Sequence, residues 1–296
     1  MRVSTSLMFQ RGVNAILDQQ TKSSKTQTQL STGKRLLSPA DDPAGSKRLL
    51  DIKQAVETTG QYQQNIDTIR SRLALEESTL DGVTNFLQRA RELAVNGANG
   101  THDATTRKAI GAEARQILDG VLGLANSKNA NGEYIFSGDK TQTKPFAGSA
   151  DTGGFSYQGD SGQRSIRIGP TRLVADSDPG ESVFGAAGVG GAFDVLYAFA
   201  NNMDSNTPDP TAIDNIDGAI DRVLNVRSSV GARLNALDKQ KEVNADYELD
   251  MKKTLSEVQD LDFAEAISEF NQQNVALQAA QQAYVKVQNL SLFNYL

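Results

Sequence analysis

IKQAVETTGQYQQNIDTIRSRLALEESTLDGVTNFLQRARELA, residues Ile52–Ala94, sets an apolar side chain every three or four residues along nearly its whole length. Stepping alternately by three and four gives Ile52, Ala55, Thr59, Tyr62, Ile66, Ile69, Leu73, Glu76, Leu80, Val83, Leu87, Ala90 and Ala94. Eleven of these thirteen are apolar, where the overall hydrophobic fraction of 38% would give about five. No proline interrupts the stretch, so the pattern predicts a single helix of roughly 65 Å at ~1.5 Å per residue. A straight helix rotates such a stripe by ~20° per heptad, so to keep its partner over this length it must wind into a left-handed coiled coil.

The same alternation returns at Ile213, Ile216, Ile220, Val223, Arg227, Val230, Leu234, Leu237, Lys241, Asn244, Glu248, Met251, Leu255 and Val258, with ten of the fourteen apolar. Two helices of similar length on one chain close as an antiparallel hairpin with everything between them hung at one end. The expected fold is therefore mainly α, an elongated antiparallel coiled-coil rod. Its core is Ile66, Ile69, Leu73, Leu80, Val83 and Leu87 against Ile220, Val223, Val230, Leu234 and Leu237. Glu76, Arg227 and Lys241 interrupt the seams. Either each carries its charge to the edge along an aliphatic stem, or Glu76 meets Arg227 and fixes register.

The 296 residues have room for two domains, or for one long body with an insertion. With no cysteine, no tryptophan and one histidine, disulfides and thiol chemistry are excluded. A net charge of -6 without a long Lys/Arg run argues against nucleic acid and anionic membrane as partners. No window approaches the ~18 continuous apolar residues of a membrane span, and the N-terminus lacks the apolar core of a secretory signal. Taken alone, these features point to the cytoplasm.

Outside the rod, residues 1–42 read as an N-terminal helix and connector. Phe9, Val13, Ile16, Gln20, Ser23, Gln27 and Leu30 follow the heptad spacing with a polar middle, which gives too little apolar surface to offset the helix's ordering entropy alone. Gly33 stops the helix, Asp42 caps the next one and Pro43 suits its first turn. Residues 43–130 hold the long helix, a turn at 96–106 and a shorter helix along Ile110, Ala114, Ile117, Val121 and Leu124. From Asn131-Gly132, a tight-turn signal, residues 131–204 read as a small β-rich inserted domain. The period changes from helix to strand at NANGEYIFSG (Asn129–Gly138), the strand candidates beyond it are 155–158, 165–168 and 171–175, and a short helix at 192–203 ends the domain. Residues 205–258 return along the rod. In residues 259–296, Phe263, Ile267, Phe270, Asn274, Leu277, Gln281 and Tyr284 form one seam, and Ala276, Ala280, Ala283, Val287 and Leu290 form a second, so this helix needs at least two neighbours.

Sequence signals for catalysis are weak. Gly159-Asp160-Ser161-Gly162 matches the tetrapeptide around a serine nucleophile, but a β-turn uses the same residues, and a triad needs a placed histidine, carboxylate and oxyanion hole. His102 reads as a surface or capping residue. Asp41 with Asp42 and Asp260 with Asp262 sit at helix junctions, where carboxylates cap free amides. The glycines at 185–191 lack the Gly-Lys-Ser/Thr ending of a phosphate loop. The expectation is a non-enzyme without cofactor or metal.

LSTGKRLLSPADDPAG (Leu30–Gly45) and VQDLDFAEAISEFNQQNVALQAAQQAYVKVQNLSLFNYL (Val258–Leu296) resemble the flagellin family. MRVSTSLMF, NANGEYIFSG and the ending NLSLFNYL are similar to the family's hook–filament junction branch more than to flagellin, the filament subunit, which stands as the alternative. The resemblance covers residues 1–140 and 205–296 and is weak through the β insertion. It implies a structural subunit exported unfolded through the flagellar type III channel without a cleaved signal, and so extracellular, in the bacterial flagellum. It further implies assembly with copies of itself between hook-associated protein 1 and flagellin, with an export chaperone on the C-terminal helix beforehand. The terminal helices would pair and assemble through Phe9, Val13, Ile16, Leu30, Phe263, Ile267, Phe270, Leu277, Ala280, Ala283, Tyr284, Val287 and Leu290.

Overall fold

The computed structural model describes residues 2–186 and 190–289. Its elements in chain order are α1 (Arg2–Thr32), α2 (Pro43–Gly97), α3 (Ala104–Ala125), β1 (Phe146–Ser149), β2 (Gly153–Tyr157), β3 (Ser165–Arg167), β4 (Leu173–Ala175), α4 (Gly180–Phe184), α5 (Ala192–Asp204), α6 (Ala212–Gln259) and α7 (Phe263–Asn289). The fold is mainly α, with paired terminal helices and a small β insertion. Two compact units divide it, Met1–Thr58 with Tyr247–Leu296, and Thr59–Asp246. The division falls inside α2 and α6.

Within the second unit, α2 and α6 run antiparallel. Gln63 donates to the Lys241 carbonyl at 3.0 Å, Lys241 pairs with Asp67 at 2.6 Å, Arg70 with Asp238 at 3.3 Å, Arg227 with Glu77 at 2.7 Å and Arg91 with Asp217 at 2.5 Å. Each step up one helix is matched by an equal step down the other. Between these edge pairs Ile66, Ile69, Leu73, Leu80, Val83, Leu87, Val223, Val230 and Leu237 are fully buried; Ile220 is nearly so, and Leu234 is only partly buried. Burying a side chain of this size contributes ~1.5–3 kcal/mol.

Glu76 and Arg227 do not pair. Arg227 sits at the edge and reaches Glu77 and Asp81, while Glu76 points into the core, 2% exposed, beside Asp178 and Arg233. Neighbouring residues on a helix point ~100° apart, so one position decides between a solvated ion pair and a buried carboxyl. Burial, then the charge of Asp178, pushes Glu76 up to about 9, with Arg233 opposing, so it is protonated at neutral pH. Lys241 likewise lies at the edge, and Asn244 is buried and donates to the Ile168 carbonyl at 3.0 Å.

The insertion is two separate two-stranded antiparallel sheets, β1 with β2 and β3 with β4. β1 and α4 had no periodic signal in the sequence. The strand-like reading of Asn129–Gly138 is corrected. Asn129 accepts from the amides of Asn131 and Glu133, Gly132 turns at φ 80°, and only an isolated bridge from Lys128 to Tyr134 forms. The centre is aromatic. Phe184 and Phe193 stack at 5.3 Å, Phe155 stacks on Phe193 at 5.5 Å, and Phe136 and Phe146 meet Phe184 edge-on. Gly180 allows this closeness, since a Cβ there would lie 2.7 Å from the Phe146 ring.

Charged side chains join the insertion to the helices of this unit. Arg72 on α2 reaches Asp176 at 2.9 Å and Glu133 at 3.1 Å, and the fully buried Asp176 side chain also takes Arg164. Arg115 on α3 holds Asp204 at 2.6 Å, Asn201 at 2.7 Å and the Ala150 carbonyl at 2.8 Å. The motif residues considered for chemistry serve as turns. Asp160 accepts the amides of Asp139 and Gly162, and His102 bonds Asn96 at 2.7 Å. Among the described residues no cluster of three or more His, Asp or Glu is arranged to hold a metal.

Candidate assembly surface

The first unit is built on α1 packed against α7. The Phe9 ring meets Tyr284 edge-on at 6.2 Å, Gln19 donates to the Gln273 carbonyl at 3.1 Å, and Ser23 donates to Asn274 at 3.2 Å. The inward face of α1 is Phe9, Gly12, Ile16, Gln19, Ser23, Thr26 and Leu30, with Ser23 and Thr26 buried. The phase predicted from hydropathy is corrected, because Val13, Gln20 and Gln27 face outward. Gly12 explains the choice. A Cβ at this residue would lie 2.9 Å from the Tyr284 ring, so the ring needs a glycine and the valine beside it is turned to solvent.

On α7 the inward residues are Ala266, Phe270, Gln273, Asn274, Leu277, Ala280, Tyr284 and Val287. This seam takes members from both predicted ones. Phe263 and Ile267, placed in the first, are each 51% exposed; Ala283, placed in the second, is exposed; Leu290 lies outside the described residues. Further apolar side chains stand open on the same pair: Leu7, Met8 and Leu17 on α1, and Val275 and Val285 on α7. The pair therefore has a mixed inner seam, polar where Gln19, Ser23 and Thr26 meet Gln273 and Asn274, and leaves apolar side chains open among the polar residues of its outer surface.

The connector between α1 and α2 is tied down. Gly33, at φ 67°, accepts from the Leu261 amide at 3.0 Å, and the Arg35 amide donates to Gln259 at 2.8 Å, forming a short bridge around Lys34 and Asp260. Asp41 pairs with Lys25 at 2.7 Å and accepts from the Ser38 and Leu37 amides, contacts that hold its carboxyl below the usual range. Asp42 accepts from the Gly45 amide at 2.9 Å at the start of α2, and Asp262 accepts from Ala264 and Glu265 at the start of α7. Each carboxylate serves backbone at a junction. Beside them, Leu36, Leu37, Pro39, Leu49 and Leu50 wall an open groove of about 410 Å³ with Lys34 and Lys53 on its rim.

What this arrangement presents is exposed apolar surface on both helices. A family model described as the bacterial flagellin N-terminal helical region matches residues 3–141, and one described as the bacterial flagellin C-terminal helical region matches residues 213–296. Flagellar hook-associated protein 3 of Escherichia coli (strain K12) is 30% identical over 317 residues, covering 99% of this chain and 99% of that one. The chain belongs to the flagellin family.

A flagellin from Bacillus subtilis (strain 168) is 26% identical, over 95% of this flagellin-family chain and 94% of its own length. A crystal structure of flagellar hook-associated protein 3 from Legionella pneumophila superposes with a TM-score of 0.63 at 22% identity, covering 70% of this chain and 98% of that one. At that identity the likeness establishes the fold. Residues 142–212, between the two matched stretches, hold the β pairs, α4 and α5, so these elements of the flagellin-family chain are the ones that neither family model describes.

Proposed function

We propose that the chain is a structural subunit of the bacterial flagellum that joins the hook, through hook-associated protein 1, to the flagellin filament. The full-length similarity to flagellar hook-associated protein 3 carries the reading. The outward apolar residues of α1 and α7 support it, because side chains such as Phe263, Ile267 and Val275 gain from burial only when a neighbour covers them. In this reading the terminal helices are the assembly interface, the chain reaches its place through the flagellar export channel, and a chaperone covers α7 before export. No helix among the described residues is long and apolar enough to cross a membrane.

Filament subunit is the second reading, favoured by the similarity to flagellin over nearly the whole chain. The test is twofold. Labelled chain on sheared flagella should mark a single short zone where hook meets filament, and purified monomer should not polymerise alone into long filaments. Label along the whole filament, or filaments from pure monomer, would replace the junction by the filament subunit. Absence from sheared flagella would end both readings.

A further inference from the structure

We infer that Asn99-Gly100, in the turn between α2 and α3, is a self-modification site at which the Asn99 side chain loses its amide nitrogen and the residue becomes aspartate or isoaspartate. The chain holds three Asn-Gly pairs, at 96–97, 99–100 and 131–132. A glycine carries no Cβ to shield its backbone nitrogen from the side-chain carbonyl before it, so by sequence the three are equal. The structure separates them. Asn96-Gly97 closes the last turn of α2, where the Gly97 amide belongs to the helix ladder, and the Asn96 side-chain oxygen is held by His102 at 2.7 Å. The Gly132 amide is engaged as well, donating to the Asn129 carbonyl at 3.0 Å.

Gly100 is placed differently. Asn99, Gly100 and Thr101 are exposed, a Cβ at Gly100 would meet nothing within 4 Å, and among the described residues the Gly100 amide has no acceptor. The Asn99 side-chain oxygen accepts from the Thr101 amide at 3.1 Å and from the Thr101 hydroxyl at 3.0 Å. When the Gly100 nitrogen adds to Cγ of Asn99, negative charge develops on that oxygen, where two donors already stand. Water carries the Gly100 amide proton to Nδ2, the bond from Cγ to Nδ2 breaks, and ammonia leaves a five-membered imide. A second water opens the ring. Attack at Cγ gives aspartate, and attack at the former main-chain carbonyl gives isoaspartate with its α-carboxylate set free. Both products find donors in place: Thr101 for the first, and for the second the Arg107 guanidinium at 3.1 Å and the His102 amide at 3.3 Å, which already meet the Asn99 main-chain oxygen. The buried Arg107 is a fixed cation beside the new charge, so the turn accepts the conversion and a chain gains one negative charge with age.

The test incubates the folded, full-length chain in warm, mildly alkaline water enriched in heavy oxygen and sequences its peptic peptides by mass spectrometry. Asn99 should take up the label at least about tenfold faster than Asn96 or Asn131, the smaller end of what placed oxyanion donors contribute. In urea, with the turn gone, the three rates should converge. Thr101→Val removes the hydroxyl donor and keeps the backbone one, so labelling at Asn99 should slow about tenfold while Asn96 and Asn131 stay as they were. Asn99 converting no faster than Asn131 in the folded chain overturns the inference. An unaltered Asn99 rate in Thr101→Val, or the same ordering of the three sites in urea, overturns it too, since the turn would then contribute nothing.

Discussion

Arg227 donates through Nε to Glu77 at 2.7 Å. Both side chains are about one third exposed, and Asp81, one turn on, shares the same guanidinium at 2.8 Å. A double-mutant cycle of Arg227→Leu with Glu77→Leu should give a coupling of about 0.5 kcal/mol, within the ~0.2–1 kcal/mol of solvated pairs. The cycle with Glu76→Leu should be additive within ~0.5 kcal/mol. Chemical denaturation of the four proteins in each cycle measures this, and a larger coupling for Glu76 than for Glu77 would contradict the observed register.

Glu76 makes stability depend on pH. The fold holds its proton up to about pH 9, whereas the unfolded chain releases it near the ordinary value of 4.5. Below 4.5 both states are protonated and this contribution is fully present. As pH rises through the window the folded state alone keeps the proton, so stability falls by up to ~1.4 kcal/mol per pH unit. Glu76→Gln removes that slope and still has an amide to offer Asp178. Its Tm should exceed the parent's by a margin that widens from about pH 5 to about pH 8, at roughly 2–4 °C per kcal/mol. A margin independent of pH would show that Glu76 is ionised in the fold.

Arg72 answers a carboxylate with no access to water. Asp176 has a fully buried side chain and is met by Arg72 and Arg164. Arg72→Met leaves one cation where there were two and should cost about 3 kcal/mol, the lower end for breaking a buried pair. Adding Asp176→Asn should recover part of the loss. Urea denaturation checks both, and a double variant less stable than Arg72→Met would count against burial as the cause.

Leu277 and Ala283 should respond differently to the same charge. Leu277 lies on the α1-facing seam of α7, and Ala283 faces outward. Leu277→Asp should strip hydrogen-exchange protection from residues 9–30 in the monomer, because the charge would lose its hydration against α1. Ala283→Asp should leave that protection unchanged and lower the amount of chain on sheared flagella. Equal loss of protection in both would mean that α7 has no defined phase on α1.

Much of the second unit was legible in the sequence because its seams are long, apolar and unbroken by proline. Ile66 to Leu87 and Val223 to Leu237 carry enough hydrophobic surface that periodicity alone sets which side faces inward. The β insertion was legible only in part. β1 is four residues with a bulge, and its place comes from the Phe136, Phe146, Phe184 and Phe193 cluster assembled from distant stretches.

For the terminal helices, sequence by itself established that they are amphipathic, polar in the middle, and in need of neighbours. The tertiary structure decided their phase. With few apolar residues, hydropathy barely separates one heptad register from the next, and a single steric fact settles it: the Tyr284 ring fits over Gly12 and not over Val13. The same holds inside the hairpin, where periodicity put Glu76 on the buried stripe but only the fold could show which carboxylate meets Arg227. Glu77 differs from Glu76 by a rotation of ~100° about the helix axis, which is enough to make one an ion-pair partner at the edge and the other a protonated acid in the core.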